Sequence, residues 1–486
     1  MKRSRPMFHG RRLWSGCLAQ PATEFPPTTL DTEHGRLPAG LRGDLYRNGA
    51  GRLERGGRRA GHWFDGDGAV LRVQFVQGRA EASYRYVQTQ GLQREAQAGR
   101  LLYGNYGMTA PGPIWNHWRR PLKNAANTSV IALSDGVLAL WEGGRPHALD
   151  AETLATHGEA DLAGPAGVLK PGQPFSAHPK QDPTSGDLYN FGVAIPGRNA
   201  KLMLYRCDRS GRLLAQRGLE LEGVPMIHDW VMAGRYLIFL VPPVRIAVTP
   251  VLLGLRSYSD AMQWQPERGT QILIFDRETL ELIARGETEP FYQWHFGNGA
   301  CDDATNGRIV LDLARYPDFS TNQHLREVAS GQTVTPAKAT LWRMILDPQT
   351  AQVQELSEMS PRSIEFPMVP PAAVGRPWQR TYMAAHRAGT DTTAERYDAL
   401  ACFDHAHNRL DEADLGGGRY PSEPIVVPDA NDPTRLWLLS VIYDGHSDRG
   451  EIWIYDASQL ADGPECVLAL PEPIPLSFHG CWRPAP

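Results

Sequence analysis

SVIALSDGVLALWEGGRPHALD, residues 129–150, sets two runs of β-branched and aliphatic residues on either side of Ser134-Asp135-Gly136. Serine and aspartate bond to nearby backbone and glycine accepts positive φ, so the three residues predict a hairpin turn between antiparallel strands. The same grammar recurs downstream. KLMLYRC (201–207) is followed by Arg209-Ser210-Gly211, and YLIFLV (236–241), QILIFD (271–276), RIVLDL (308–313), LWRMILD (341–347), ALACFD (399–404), RLWLLSVIYD (435–444) and EIWIYD (451–456) follow in turn. These runs do not alternate with amphipathic helical stretches, which argues against dinucleotide-binding and TIM-barrel folds. The fold class is all-β. A sandwich of 486 residues would be unusually large, whereas a β-propeller reaches that length by repeating four-stranded blades. No clean repeat period of the WD or kelch kind is visible.

The bulk numbers exclude several function classes. Fifty basic and 54 acidic residues, interspersed for a net charge of -4, leave no basic stripe for nucleic acid. The six cysteines, at 17, 207, 301, 402, 466 and 481, form no CxxC pair, so neither a zinc knuckle nor a disulfide framework is suggested, and a reducing, cytoplasmic setting fits. The N-terminal MKRSRPMFHGRRLWSG is basic but has no apolar run of signal-peptide length. The most apolar window, 231–255, is interrupted by Arg235, Pro242-Pro243 and Arg245 well short of a bilayer span. Two readings stay open for PPVRIAVTPVLLGLRS (242–257). It is a core loop behind the buried strand YLIFLV, or an apolar surface patch that gives peripheral contact with a membrane.

GDLYRNGAGRLERGGRRAGHWFDGDGAV (43–70) resembles the opening signature of the carotenoid cleavage oxygenases, and further segments match that family in order: LKNAANTSV (122–130), LALWEGGRPHALD (138–150), PFSAHPKQDPTSGDLY (174–189), IHDW (227–230), WHFGN (294–298), EFPMVPP (365–371), SEPIVVP (422–428) and FHG (478–480). The run from TQG (89–91) through EGGRPHALD looks most like the bacterial apocarotenoid oxygenases that cut retinoid-length substrates. The resemblance spans nearly the whole chain. It implies a single domain over 1–486, a seven-bladed propeller with iron on its central axis, and loops capping a substrate tunnel. It also implies an activity: cleavage by O2 of a conjugated C=C bond in a hydrophobic polyene, an apocarotenoid, to give two carbonyl products such as retinal or a related apocarotenal. No organic cofactor is needed, only Fe(2+).

The iron ligands implied are His178, His228, His295 and His479. Their separations of 50, 67 and 184 residues exclude a local motif of the HExxH kind, so the ligands must come from different blades. Four neutral imidazoles suit iron(II) and leave two octahedral positions open. The resemblance assigns Glu142, Glu365 and Glu423 to holding the outer ring nitrogens of these histidines. It places the methyl of Thr128 against one open position, and Phe64, Trp141 and Trp294 along the tunnel, where flat rings grip a polyene by dispersion. One departure stands out, because Cys301 occupies a position where the family has an acidic residue.

Other readings compete. HWFDGDGAV has acidic residues but lacks the remaining positions of an EF-hand loop, and its Asp-Gly pairs read first as tight turns. A stilbene-cleaving dioxygenase on the same fold is the main alternative, with Lys123 able to hold a phenol oxygen. Isomerisation of a retinoid ester and a metal-free interaction platform fit the sequence less well.

Overall fold

The computed structural model describes residues 12–305 and 307–485. The basic N-terminal stretch read for a signal peptide lies outside the described residues up to Arg11. The described chain is mostly strand, arranged as seven sheets around one axis, which is the expected β-propeller. The hairpin at 134–136 forms as the turn chemistry dictates, with Ser129–Ala132 paired to Val137–Leu140. Ala200–Cys207 likewise turns through 208–212 into Leu213–Leu221, and Gly211 takes φ +86° at the turn.

The blades are numbered here from the N-terminus. Blade I is built on Gly43–Arg52, Asp67–Val76 and Arg79–Tyr86, and blade II runs through Ser129–Ala132, Val137–Leu140, His147–Leu149 and Thr156–Glu159. Blade III runs from Lys180–Gln181 to Leu213–Leu221, blade IV from Val231–Ala233 to Leu282–Thr288, and blade V from Tyr292–Ala300 to Val353–Ser360. Blade VI runs from Ile364–Met368 to Arg409–Asp414, and blade VII centres on Leu436–Asp444 and Arg449–Asp456. Both chain ends close the ring. Gly480–Pro484 adds to Gly43–Arg52 as the inner strand of blade I, and Asp31–Gly35 adds to Cys466–Ala469 at the outer edge of blade VII.

Burial falls from the axis outward, which explains the sequence pattern. Tyr236–Val241 is buried at every position because neighbouring blades cover both of its faces, so it reads as a continuous apolar run rather than an alternating one. Leu213–Leu221, outermost in blade III, is largely exposed between its two buried ends. The core is correspondingly divided into inter-blade layers. Between blades III and IV, Phe239 stacks on Trp230 at 5.7 Å and meets Phe191 and Phe275 edge-on.

Helices are few and short among the described residues: α-helices at Gln90–Ala98, Trp115–Arg119, Val248–Leu252 and Ser320–Val328. One turn expectation is corrected. Asp67-Gly68 opens the strand Asp67–Val76 instead of making a turn, and a Cβ on Gly68 would collide with the Ala126 carbonyl, so glycine is there for close approach of two backbones.

Candidate metal centre

All four histidines arrive at the axis on or beside the innermost strand of a blade. His178 precedes Lys180–Gln181 in blade III, His228 precedes Val231–Ala233 in blade IV, His295 lies within Tyr292–Ala300 in blade V, and His479 precedes Gly480–Pro484 in blade I. The three glutamates come from the remaining blades: Glu142 from blade II, Glu365 from the inner strand of blade VI and Glu423 from blade VII.

Local irregularities aim these side chains. The register shifts between Gln293 and Phe296 and again between Phe296 and Asn298, a bulge that re-aims a strand residue at His295. Phe366 takes φ +55°, a left-handed conformation costly for an aromatic residue, and its ring stacks on His295 at 5.0 Å. Trp230 Nε1 donates to the His178 carbonyl at 2.9 Å, fixing that backbone from the neighbouring blade IV, and Asn48 N donates to the His479 carbonyl at 2.9 Å from the paired strand of blade I.

The ring nitrogens of the four histidines lie within 4.8 Å of one another, a grouping that can hold a metal ion. His178 Nε2 is 3.0 Å from His228 Nε2, which is 3.4 Å from His295 Nε2. Metal–nitrogen bonds of about 2.1 Å would set adjacent octahedral donors about 3.0 Å apart and opposite ones about 4.2 Å, so the spacing fits one ion. The outer nitrogens face carboxylates. His228 Nδ1 meets Glu142, His295 Nδ1 donates to Glu365 at 2.5 Å, and His479 Nδ1 donates to Glu423 at 2.8 Å. The bonds from His295 and His479 place the proton on Nδ1 and leave the Nε2 lone pairs inward, the tautomer a metal needs, and the carboxylate beside His228 Nδ1 favours the same tautomer there.

His178 differs. Its Nδ1 is 3.8 Å from Asp229, whose oxygens are taken by Lys180 at 2.9 Å and by the Trp230 and Phe296 backbone amides. Burial, and then the three neighbouring rings, push the His178 pKa well below the usual imidazole range, so the ring is neutral and its lone pair available. Burial works against the charge on Glu423, but His479 and Arg47 more than offset it and hold this carboxyl below its ordinary range.

Two cavities meet at these rings, and Phe64, Thr128 and His228 wall both. The outer one has a volume of about 510 Å³ and is lined further by Trp141, Glu142, Tyr106, Phe191 and Tyr258. The inner one is a slot of about 50 Å³ lined by Trp294, His295, Glu365, Phe366 and Phe478 among others. Trp294 packs edge-on against His228 at 4.6 Å and donates through Nε1 to Thr321. The Thr128 hydroxyl is engaged by Asn127 at 3.1 Å.

Comparison with known proteins places this geometry in a family. The profile of the RPE65 family, described as retinal pigment epithelial membrane protein, matches residues 18–484. The chain belongs to the RPE65, or carotenoid oxygenase, family. It is 35% identical over 466 residues to the apocarotenoid-15,15'-oxygenase of Synechocystis sp., covering 93% of this chain and 92% of that protein. It is 26% identical to an isoeugenol monooxygenase of Pseudomonas putida, covering 95% and 96% of the two chains. The cobalt-substituted crystal structure of the Synechocystis enzyme superposes with a TM-score of 0.87 at 33% identity, covering 97% of this chain and 98% of that one.

Two residues weighed in the sequence stand apart from the centre of this carotenoid oxygenase. Lys123 is buried with its ammonium held by Asp67 and by Glu95 at 2.6 Å, and it lines neither cavity. Asp67 is thereby engaged, Asp65 accepts from the Gly107 amide at 2.9 Å, and among the described residues neither acid of HWFDGDGAV joins a group of side chains that could hold a metal ion. Cys301 follows the end of the His295 strand and walls neither cavity.

The apolar segment 242–257 divides between its two readings. Val244–Ile246 is a buried strand paired with Met262–Trp264, whereas Leu252, Leu253 and Leu255 are exposed. Sequence reading missed their companions. Trp118 Nε1 donates to the Leu252 carbonyl at 2.9 Å, which sets the exposed Trp118 beside these leucines; Ile114 and Trp115, close by in the chain, are exposed too, and the exposed Leu122 lines the outer cavity. Among the described residues no helix is long and apolar enough to cross a membrane.

Proposed function

We propose that this protein, acting as one unit over residues 1–486, is an iron(II)-dependent dioxygenase that splits a conjugated double bond of an apocarotenoid. The reaction is R–CH=CH–R′ + O2 → R–CHO + OHC–R′, with retinal or a related apocarotenal as product. The observation that carries this reading is the position of the four histidines where two apolar cavities meet. A rod-shaped alkene threaded through both would present one interior double bond to the metal. His178, His228, His295 and His479 would hold the iron, with Glu142, Glu365 and Glu423 orienting three of the rings. Bound iron(II) supplies the electron density that activates O2.

The chain's own groups do the rest. The overall reaction consumes no proton, so no general acid or base is assigned. With its hydroxyl turned to Asn127, Thr128 offers its methyl to the cavity and limits what reaches one open position beside the rings. Phe64, Trp141 and Trp294 grip the polyene by dispersion, and loops over the outer cavity would cap it and exclude water. Which bond is cut then depends on how far the polyene slides in, a matter of position more than of reactivity.

Loading the protein with iron without oxygen, then admitting air with an apocarotenal or with a hydroxystilbene, tests the reading by the masses of the aldehydes formed. A retinal-type aldehyde from the first substrate is the expected result. Hydroxybenzaldehydes from the second substrate alone would overturn the substrate assignment. Lys123 is held by two carboxylates and walls neither cavity, so it does not face a phenol there, which favours the apocarotenoid.

The exposed group of Trp115, Trp118, Leu252, Leu253 and Leu255 beside the outer cavity is where the protein would rest on a membrane to collect its substrate. A Leu252→Asp/Leu255→Asp variant is expected to lose most of its co-sedimentation with liposomes while keeping turnover of detergent-dispersed substrate. Unchanged liposome binding would remove this surface from consideration.

A further inference from the structure

The wall of the inner slot includes a cation that forms no ion pair with any acidic side chain among the described residues. Arg396 lies between Arg380–Ala385 and Ala399–Asp404 of blade VI, is 8% exposed, and walls the slot together with His324, His386 and Tyr397. Its Nη1 donates to His324 Nε2 at 2.9 Å, and His324 can accept there because its Nδ1–H goes to the Thr335 carbonyl at 2.8 Å. The guanidinium carbon sits 5.3 Å from the Trp63 ring and 5.5 Å from that of Tyr397. Among the described residues no Asp or Glu forms an ion pair with it, and its buried Nε has no partner. Glu395, next in the chain, turns instead to Arg12 and Tyr420.

Arg47, also buried, shows what a settled buried arginine looks like. It is paired with Glu423 at 3.0 Å and bonds Ser477 and two carbonyls besides. The remaining polar groups around Arg396 are spent. His386 is held between Ser363 and the Glu395 carbonyl, and Tyr316 donates to Glu365. Burial works against the charge on Arg396, and nearby tyrosines and Glu365 only partly offset it. An arginine side chain keeps its charge nonetheless, and leaving it without a counter-ion in a dry site is costly. A ligand that brings an anionic oxygen would remove that cost.

The cavity volumes say which end of a polyene would bring it. A bulky ring fits the outer cavity of about 510 Å³, and the slot of about 50 Å³ suits only the slimmer linear end. We propose that Arg396 receives the oxygen-bearing linear end of the substrate, and that a carboxylate end is preferred over an alcohol or an ester. A carboxylate can take two N–H groups of the guanidinium in charge-assisted bonds, an alcohol leaves the cation unbalanced, and an ester offers only a weak carbonyl acceptor. This deepens the apocarotenoid reading and rests on it for the identity of the chain, but the pocket can be tested without turnover.

The iron-loaded protein is titrated without oxygen with an apocarotenoic acid, its methyl ester and the matching alcohol, following quenching of tryptophan emission, since Trp63 and Trp294 both wall the slot. The acid should bind about 10-fold tighter than the other two, or more, the size of one charge-assisted bond. The margin should vanish in Arg396→Met and shrink in Arg396→Lys, which keeps the charge and loses the fork. Equal affinities in the wild-type protein, or a margin that survives in Arg396→Met, would overturn the proposal. If Arg396→Met does not fold, the wild-type and lysine titrations decide alone. Turnover in air is read separately. A protein that prefers the acid but cleaves no polyene keeps this pocket and loses the proposed reaction, and one that cleaves polyenes without regard to their ends does the reverse.

Discussion

A His295→Ala variant should keep the propeller and lose both iron and turnover. The ring is one of the four proposed donors, with its Nε2 3.4 Å from that of His228, and no other histidine or acidic side chain among the described residues joins the group that could hold the ion. The loss of turnover should exceed the roughly 10–100-fold that follows when only a ligand's supporting partner is changed. Glu365→Gln provides that milder comparison, because it keeps an oxygen near His295 Nδ1 and near Tyr316, which lies 3.1 Å from Glu365. The fold should survive in both. Tyr316 and the Phe366 amide still bond Glu365 once the imidazole is gone, so the carboxylate is not left bare. Metal analysis, turnover and a melting curve on the two variants check the ordering, and a His295→Ala protein with full iron content would refute the assignment of this ring.

What the sequence discloses about this molecule is mostly local. The turn at Ser134-Asp135-Gly136 was legible because its chemistry lies within three residues, and Tyr236–Val241 because burial on both faces leaves an unbroken apolar run. The closure of the ring was not. Gly480–Pro484 has a glycine, a cysteine and a proline in five residues and becomes a strand only because Gly43–Arg52 offers it an edge. The four histidines lie too far apart for a local motif and were found through resemblance, as were the three glutamates that contact their rings. Groups that depend on which blades are neighbours escaped notice. Asp229 is next to His228 in the chain, yet it braces the blade III side through Lys180 and the blade V side through the Phe296 amide. Trp118 joins Leu252 across more than a hundred residues, and nothing beside Arg396 in the sequence marks it as buried.

Glu423 is expected to be the glutamate whose loss costs most, because it pairs with a buried arginine as well as with its histidine, whereas Glu365 pairs with no arginine. One oxygen accepts from His479 Nδ1 at 2.8 Å, and the other accepts from the Gly480 amide at 2.9 Å and from Arg47 at 3.0 Å. Arg47 and Glu423 are 1% and 4% exposed, so water cannot replace either partner. Removing one member of a buried ion pair typically costs about 3–5 kcal/mol, since the other charge is left unbalanced. Glu423→Gln should therefore lower the denaturation midpoint sharply, whereas Glu365→Gln, which unpairs no arginine, should lower it little. Iron retention in Glu423→Gln should fall about tenfold or more as His479 loses its anchor. Adding Arg47→Met separates the two effects. The double variant removes the unbalanced charge, so it should recover much of the stability but none of the iron, and a double-mutant cycle reads the coupling directly. If the double variant recovers iron as well, the carboxylate acts on the metal only through the integrity of blades I and VII. If Glu423→Gln melts like wild type, Arg47 finds its balance in Ser477 and the two carbonyls alone.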